Sequence, residues 1–371
     1  MNRLRKLRVA VLFGGRSGEH EISLMSAAAI IQQLDREKYE VIPVAITRQG
    51  RWIPAEPPSG DVLQVVGEEE GGETLLPAVT DGERGLWRLG DTGVRLEPVD
   101  VIFPVLHGPF GEDGTIQGML ELADLPYVGA GVLASAVGMD KILMKRVFRE
   151  AGLPVVRFRC FLRREVETSC HRVIQEVQQH IGYPCFVKPA NLGSSVGVTK
   201  VKGPEELPRA LRVACEYDRK LLVEEAVEGR EIECSVLGND DPEVSVPGEV
   251  IPAREFYSYE AKYLDRDTRL VVPAPLRPET ERRIREYARR AFLAIDCAGM
   301  ARVDFFVSHD EKVIFVNEIN TIPGFTQVSM YPRMWEASGL PFSRLLDRLI
   351  ELAIERYRDT RRRSVVWRPS S

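Results

Sequence analysis

The chain has 371 residues, 44% of them hydrophobic and 28% charged, with a net charge of −5. That length exceeds one comfortable core and predicts two or three domains, while the acidic balance argues against a nucleic-acid partner. No apolar run reaches membrane-spanning length, no signal-peptide core follows the basic start, and the six cysteines at 160, 170, 185, 215, 234 and 297 lack metal-ligand spacing, so buried free thiols and a cytoplasmic location with no membrane partner are expected.

Residues 7–13 (LRVAVLF) form a buried-strand pattern that runs into Gly14-Gly15 and a helix over 22–34. Strand, glycine turn and helix make a ligand-binding opening, because small residues let backbone N–H groups at a helix start face a ligand. The turn is not a G-x-G-x-x-G fingerprint, which weakens a dinucleotide-dependent oxidoreductase reading. A second strand is expected over 41–47. Residues 48–98 shift to Gly, Pro and Glu with strand-like pieces at 61–66 and 86–89, an elaboration on the first domain. A buried strand over 99–106 then leads into His107-Gly108-Pro109-Phe110-Gly111-Glu112-Asp113-Gly114 and a helix over 115–123. Open α/β sheets bind ligands at this edge, so His107 is read as a substrate contact beside Glu19.

Asp140 N-caps a helix that starts at Lys141 and stops before Gly152, and the first domain boundary is placed there. After a helix over 166–181, CFVKPANLGSSVGVTKV (185–201) reads as strand, glycine-rich turn and strand. Lys188 can reach phosphate oxygens under a lid formed by Gly193, Ser194, Ser195 and Gly197. It lacks the G-K-[ST] ending of a Walker loop. A helix over 204–217, strands over 220–227 and 231–237, a long functional loop over 251–276, and helices over 278–296 and 340–358 complete the chain. On the strand 220–227, Glu224 and Glu225 point to opposite faces.

Residues 302–307 and 313–319 flank a polar turn and should pair as antiparallel strands. The pairing gathers Asp304, Glu318 and Asn320, three hard oxygen donors suited to Mg²⁺ between protein and phosphates, with Arg302 on the same face. Carboxylates embedded in apolar strands are costly unless a cation or hydrogen bonds compensate.

Seven stretches now combine: FGGRSGEHEISL (13–24), LHGPFGEDGTIQG (106–118), MDK (139–141), VKPANLGSSVG (187–197), EFYSYEAKY (255–263), RVDFF (302–306) and NEINTIPGFTQVSMYP (317–332). Together they resemble the D-alanine–D-alanine ligases of the ATP-grasp superfamily across nearly the whole chain. The resemblance implies a mixed α/β, three-domain ATP-grasp architecture with an N-terminal open parallel α/β domain. Its parts would be a substrate-binding domain over 1–137, a central subdomain over 138–229, a C-terminal domain with metal site and lid over 230–358, and a tail over 359–371.

The resemblance also implies ATP-dependent joining of two D-alanines through an acyl phosphate, for peptidoglycan precursors. Lys141 and Lys188 would hold ATP phosphates with Ser194, Ser195 and Val196 closing over them. Glu224 and the Val227 backbone would meet adenine, and Glu231 the ribose. Asp304, Glu318 and Asn320 would bind two Mg²⁺, with Mn²⁺ as a substitute and a monovalent cation admitted. Arg302 and the Gly324 backbone would stabilise the tetrahedral intermediate. Glu19, with His107 nearby, would anchor the first D-alanine, while Ser329 and the Met330 backbone take the carboxylate of the second. Lys262 would lie over the transferring phosphate and Tyr263 would join Ser194 to Glu19, closing the site to water. Family members that make an ester tend to lack that tyrosine, so Tyr263 favours a peptide product. Ser258 departs from the Asp common in the lid. A homodimer follows from family habit alone. The alternatives are a ligase that takes D-lactate or D-serine second, and a non-catalytic ATP-binding regulatory protein of the same fold.

Overall fold

The computed structural model describes residues 5–58, 72–78, 82–252, 268–326 and 328–363. Its first sheet has strand order β3-β2-β1-β7, built from β1 (Leu7–Gly14), β2 (Tyr39–Ile46), β3 (Trp52–Pro54) and β7 (Val101–Val105). β1 runs parallel to both β2 and β7, the open parallel arrangement expected from the sequence. Alternate residues of β1 enter different cores: Val9, Val11 and Phe13 face α1 (His20–Gln33), whereas Ala10 and Leu12 face the opposite side. Burial on both faces explains why this strand reads as one continuous apolar run. Within 48–98, β4 (Thr74–Pro77), β5 (Gly85–Gly90) and β6 (Gly93–Pro98) form an antiparallel sheet, and Leu75 and Leu86 are buried in the core of that opposite side. The piece at 61–66 lies outside the described residues.

Helices α2 (Thr115–Leu122) and α3 (Val132–Met139) follow, then α4 (Lys141–Glu150). Asp140 caps α4 as expected, its Oδ1 accepting from the N–H groups of Ile142 at 3.0 Å and Leu143 at 3.1 Å, while its other oxygen pairs with Lys220. The second sheet, β10-β9-β11-β8, is antiparallel and consists of β8 (Phe158–Leu162), β9 (Cys185–Pro189), β10 (Thr199–Val201) and β11 (Lys220–Glu225). Helices α5 (Arg163–His180) and α6 (Leu207–Tyr217) cover it through Val173, Val177, Leu207 and Leu211.

The third sheet orders β15-β14-β12-β16-β17, with β13 (Glu243–Val244) on β12. Its strands are β12 (Arg230–Gly238), β14 (Gly248–Ile251), β15 (Arg269–Val271), β16 (Gly299–Val307) and β17 (Ile314–Asn320). α7 (Pro278–Ala294) and α4 pack beneath it through Ile284, Ala288, Phe292, Met144 and Phe148. On the other side, α8 (Met330–Ala337) and α9 (Phe342–Thr360) share a core with the first sheet, joining Tyr331, Trp335 and Leu349 to Phe13 and Ile30. Lys38 and Tyr39 at the start of β2 reach Asp347 of α9 at 2.7 and 2.9 Å. The parallel sheet is thus fixed to the third.

The stretch 251–276, expected as one loop, contains the edge strand β15, which pairs with β14 through Leu270 opposite Val250. A three-residue strand has too little alternation to read from sequence. The structure also adds two short helices, α3 and α8, that the sequence analysis does not place. The cysteines are free as expected; Cys185, Cys234 and Cys297 are buried, whereas Cys160, Cys170 and Cys215, also expected to be buried, are partly exposed.

Candidate active site

The hairpin of β16 and β17 sets the floor. Its register places Arg302 opposite Asn320 and Asp304 opposite Glu318, with an irregularity just after Asp304. On the other side β12 places Glu233 opposite Asp304. Arg302 is clamped between these carboxylates: Nε and Nη2 each donate to Asp304 at 2.7 Å, and Nε lies 3.2 Å from Glu233. Burial alone would weaken the charge on Arg302, but Asp304 and Glu233 outweigh it and hold the guanidinium even more firmly protonated.

Above this floor a cleft open to solvent is lined by Lys141, Lys188, Ser194, Ser195, Glu231, Asp304 and Glu318. It separates the second sheet from the third. The two lysines therefore face the carboxylates across one space, Lys141 Nζ lying 3.8 Å from Glu318 and donating to Leu192 O at 2.6 Å. Lys188 comes from β9 and pairs with Glu224 on the neighbouring β11. Glu224 is also 3.2 Å from Lys145 Nζ, which donates to Asn317 O at 3.1 Å. Burial pushes the Glu224 carboxyl up, yet Lys145 and Lys188 prevail and hold it at about 2. The same burial lowers the Lys145 ammonium. Glu224 is consequently enclosed by two cations, with 1% of its surface exposed. Val227 lies in the turn between β11 and β12.

The glycine-rich turn between β9 and β10 closes the cleft from above. Ser194 and Ser195 adopt positive φ of 49° and 59°, a sparsely populated conformation for residues with side chains. Val196 N donates back to Gly193 O at 3.2 Å, which curls the turn. Ser194 Oγ donates to Glu19, so the lid touches the start of α1. Glu19 is bracketed by glycines: a Cβ on Gly108 would lie 2.8 Å from its Oε2, and one on Gly193 would lie 3.1 Å away. Those two positions leave the carboxylate its room.

His107, at the exit of β7, is 5% exposed. Its Nδ1 is 3.0 Å from Ile322 O and must donate there, leaving Nε2 to accept from Ser26 Oγ at 3.3 Å. Burial lowers its pKa, in keeping with this neutral tautomer. The Ile322 turn leads to Gly324 and then Phe325, which is fully buried against Phe103 and Tyr331. Ser329 precedes α8 and its Oγ accepts from Thr326 N at 3.0 Å; a Cβ on Gly324 would lie 2.9 Å from that oxygen. Met330 begins α8, so its N–H sits at a helix N-terminus, where backbone donors suit a carboxylate.

The structure thus brings Glu19, His107, Lys141, Lys188, Ser194, Ser195, Val196, Glu224, Glu231, Arg302, Asp304, Glu318, Asn320, Gly324, Ser329 and Met330 around one cleft and its inner end. Lys262 and Tyr263 lie outside the described residues. The donors at Asp304, Glu318 and Asn320 are all hard oxygens on adjoining strands, which fits Mg²⁺, with Asp304 shared with Arg302. Among the described residues no three His, Cys, Asp or Glu side chains form a ready cage. Such a site is completed by substrate oxygens and water, the usual habit of Mg²⁺.

Sequence reasoning missed Lys145, Glu112, Ser26 and Glu233. Lys145 is one turn after Lys141 and so shares its helix face, a signal that was readable. Glu112 is buried, its Oε2 accepting from Gly108 N at 2.7 Å and its Oε1 from Ile322 N at 3.3 Å. Burial, with Glu19 nearby, pushes its carboxyl up to about 8. Ser26 and Glu233 are defined by partners far away in sequence.

The chain matches the family models described as D-ala D-ala ligase N-terminus over residues 8–130 and D-ala D-ala ligase C-terminus over 147–351. It is 52% identical to the D-alanine–D-alanine ligase of Thermoanaerobacter sp. strain X514, over 96% of this chain and 99% of that protein. It is 49% identical to the corresponding ligase of Natranaerobius thermophilus, over 97% and 98%. Among solved structures, the D-alanine-D-alanine ligase of Coxiella burnetii aligns with a TM-score of 0.83 at 40% identity, covering 97% of each chain. The VanG D-Ala:D-Ser ligase of Enterococcus faecalis aligns at 0.82 and 36% identity, covering 94% of this chain and all of the other.

Proposed function

The chain belongs to the D-alanine–D-alanine ligase family, and from that premise we propose that it joins two D-alanines to D-alanyl-D-alanine, with ATP converted to ADP and phosphate, for peptidoglycan precursor synthesis. Its fold is of the ATP-grasp type, it is a ligase, and the family implies dependence on ATP and Mg²⁺. The observation that carries the reading is the juxtaposition of Lys141, Lys188 and the Ser194-Ser195 turn with Asp304 and Glu318 across one cleft, whose inner end holds Glu19.

Phosphoryl transfer needs position and charge neutralisation rather than covalent help from the protein. Lys141 and Lys188 supply two cations for the triphosphate, and the backbone of Ser194, Ser195 and Val196 covers it. Glu224, Val227 and Glu231 receive the nucleoside. Two Mg²⁺, replaceable by Mn²⁺, would be held by Asp304, Glu318 and Asn320 and, when bound, would neutralise the phosphate oxygens. A monovalent cation would add to that charge. Glu19 takes the ammonium of the first D-alanine, and neutral His107 lies beside it without competing for that role. The carboxylate attacks the γ-phosphate to give an acyl phosphate. The amine of the second D-alanine, whose carboxylate rests at Ser329 and the Met330 N–H, attacks the acyl carbon, and the tetrahedral intermediate collapses with loss of inorganic phosphate. Arg302 and the Gly324 N–H stabilise the oxyanion.

D-alanine is favoured over D-serine or D-lactate as second substrate because the relatives near 50% identity are named for it, whereas the D-Ser neighbour is at 36%. The division into domains over 1–137, 138–229 and 230–358 is supported by the three main sheets, although α4 packs with the C-terminal core. A homodimer in the cytoplasm is the assembly proposed; no described helix is long and apolar enough to cross a membrane. The test is a purified-protein assay with ATP, Mg²⁺ and D-alanine. Dipeptide and phosphate should appear together, and phosphate release without dipeptide rejects the reading. Repeating it with D-lactate or D-serine decides the second substrate.

A further inference from the structure

The two halves of the site are carried by different sheets. Glu19, His107 and Gly108 lie in loops at the edge of the parallel sheet, whereas Gly324 follows β17 of the third sheet. Three hydrogen bonds join them, and a fourth ties two of the groups on the parallel-sheet side to each other. His107 Nδ1 donates to Ile322 O at 3.0 Å, Ile322 N donates to Glu112 at 3.3 Å, Phe325 N donates to Ser26 Oγ at 3.3 Å, and Ser26 Oγ contacts His107 Nε2 at 3.3 Å. Glu112 also accepts from Gly108 N at 2.7 Å, and Gly108 is the residue whose lack of a Cβ leaves Glu19 its room.

We propose that Glu112 is a positioning residue for the ligation step: its carboxyl group spans the Gly108 and Ile322 backbones and thereby sets the distance from the Glu19 pocket to the Gly324 N–H. The inference rests on the ligase reading above. Glu112 acts through backbone, since Gly108 stands between it and Glu19. The Ile322 peptide is gripped on both sides, N–H by Glu112 and C=O by His107, so the turn carrying Gly324 is held to the amino-acid pocket rather than only to its own sheet. Preorganised donors contribute most when they need no rearrangement as charge develops. With the turn loosened, addition of the second amine slows while the acyl phosphate persists. Water then adds to the acyl carbon, the bond from carbon to the phosphate oxygen breaks, and D-alanine carboxylate and inorganic phosphate leave. ATP is spent without dipeptide.

Glu112→Gln tests this in the full chain. An amide offers its oxygen to one N–H and turns an NH₂ toward the other, so the span is broken with the size retained. Phosphate and dipeptide are quantified together at saturating ATP, Mg²⁺ and D-alanine. Wild type should give a ratio of one. The variant should raise the ratio of phosphate to dipeptide at least twofold and lower dipeptide turnover about tenfold, the scale of a lost positioning contact, with the KM for ATP within about twofold. A ratio that stays at one, at whatever rate, overturns the proposal. Ser26→Ala loosens the same turn at Phe325 without touching Glu112 and should raise the ratio in the same direction. If Glu112→Gln does not fold, Ser26→Ala decides, and a ratio of one overturns the proposal there too. A wild-type chain that makes no dipeptide is a failure of the ligase reading, recognisable before any variant is compared.

Discussion

Lys145→Met removes a buried cation from beneath the nucleotide cleft. Its side chain is 1% exposed, 3.2 Å from Glu224 and 3.1 Å from Asn317 O. At an effective dielectric of about 20, two unit charges at this separation attract by roughly 5 kcal/mol, and removing the ammonium also recovers its desolvation cost. Breaking one side of a buried pair costs about 3–5 kcal/mol in practice. Lys188 remains on Glu224, so the lower end, ~3 kcal/mol, is expected. For a cooperative unit of about 200 residues this lowers Tm by roughly 6–12 °C. Calorimetry at pH 7 on Lys145→Met, Glu224→Gln and the double variant completes a thermodynamic cycle. The double variant should be less destabilised than the sum of the singles by more than about 1 kcal/mol, because Glu224→Gln leaves the Lys145 ammonium buried without its counter-ion and Lys145→Met leaves Glu224 with Lys188 alone. The KM for ATP should rise as well, since Glu224 and Lys188 lose the third member of their group. A Tm shift under about 2 °C, or singles that add, would refute the argument that Lys145 sustains Glu224 as an anion.

Glu318→Ala should lower turnover by at least about 10²–10³-fold with little change in Tm, because it removes a hard oxygen donor from the phosphate cleft; near-normal activity would sink the metal assignment. Gly108→Ala would place a Cβ 2.8 Å from Glu19 Oε2 at a φ of +74°. The left-handed backbone alone costs about 1–2 kcal/mol, and displacement of Glu19 should raise the KM of the first D-alanine, measured at saturating ATP. Glu112 carries a pH signature. Its carboxyl is raised from 4.5 to about 8, chiefly by burial and then by Glu19, so the folded state keeps a proton that the unfolded chain releases. The stabilisation is present below 4.5 and is lost as pH rises toward about 8. Urea midpoints for wild type should fall across that window, and Glu112→Gln should flatten the slope; parallel curves would contradict it.

Local pattern determined much of this protein. The apolar run of β1, the Asp140 cap, the hairpin carrying Lys188 and the strands carrying Asp304 and Glu318 were all legible, because period, turn residues and caps act over a few positions. The chemistry of the hard oxygen set was legible too, since donor type needs no coordinates. Tertiary structure alone decided which groups hold one another. Lys145 reaches Glu224 from another element, Glu233 completes the clamp on Arg302 from β12, and Glu112 meets Ile322 across 210 positions. A residue pair so distant leaves no periodic trace in the chain. Its energy comes from burial and from the approach of two sheets, which the shared core of α8, α9 and Phe325 against the parallel sheet holds at hydrogen-bond distance.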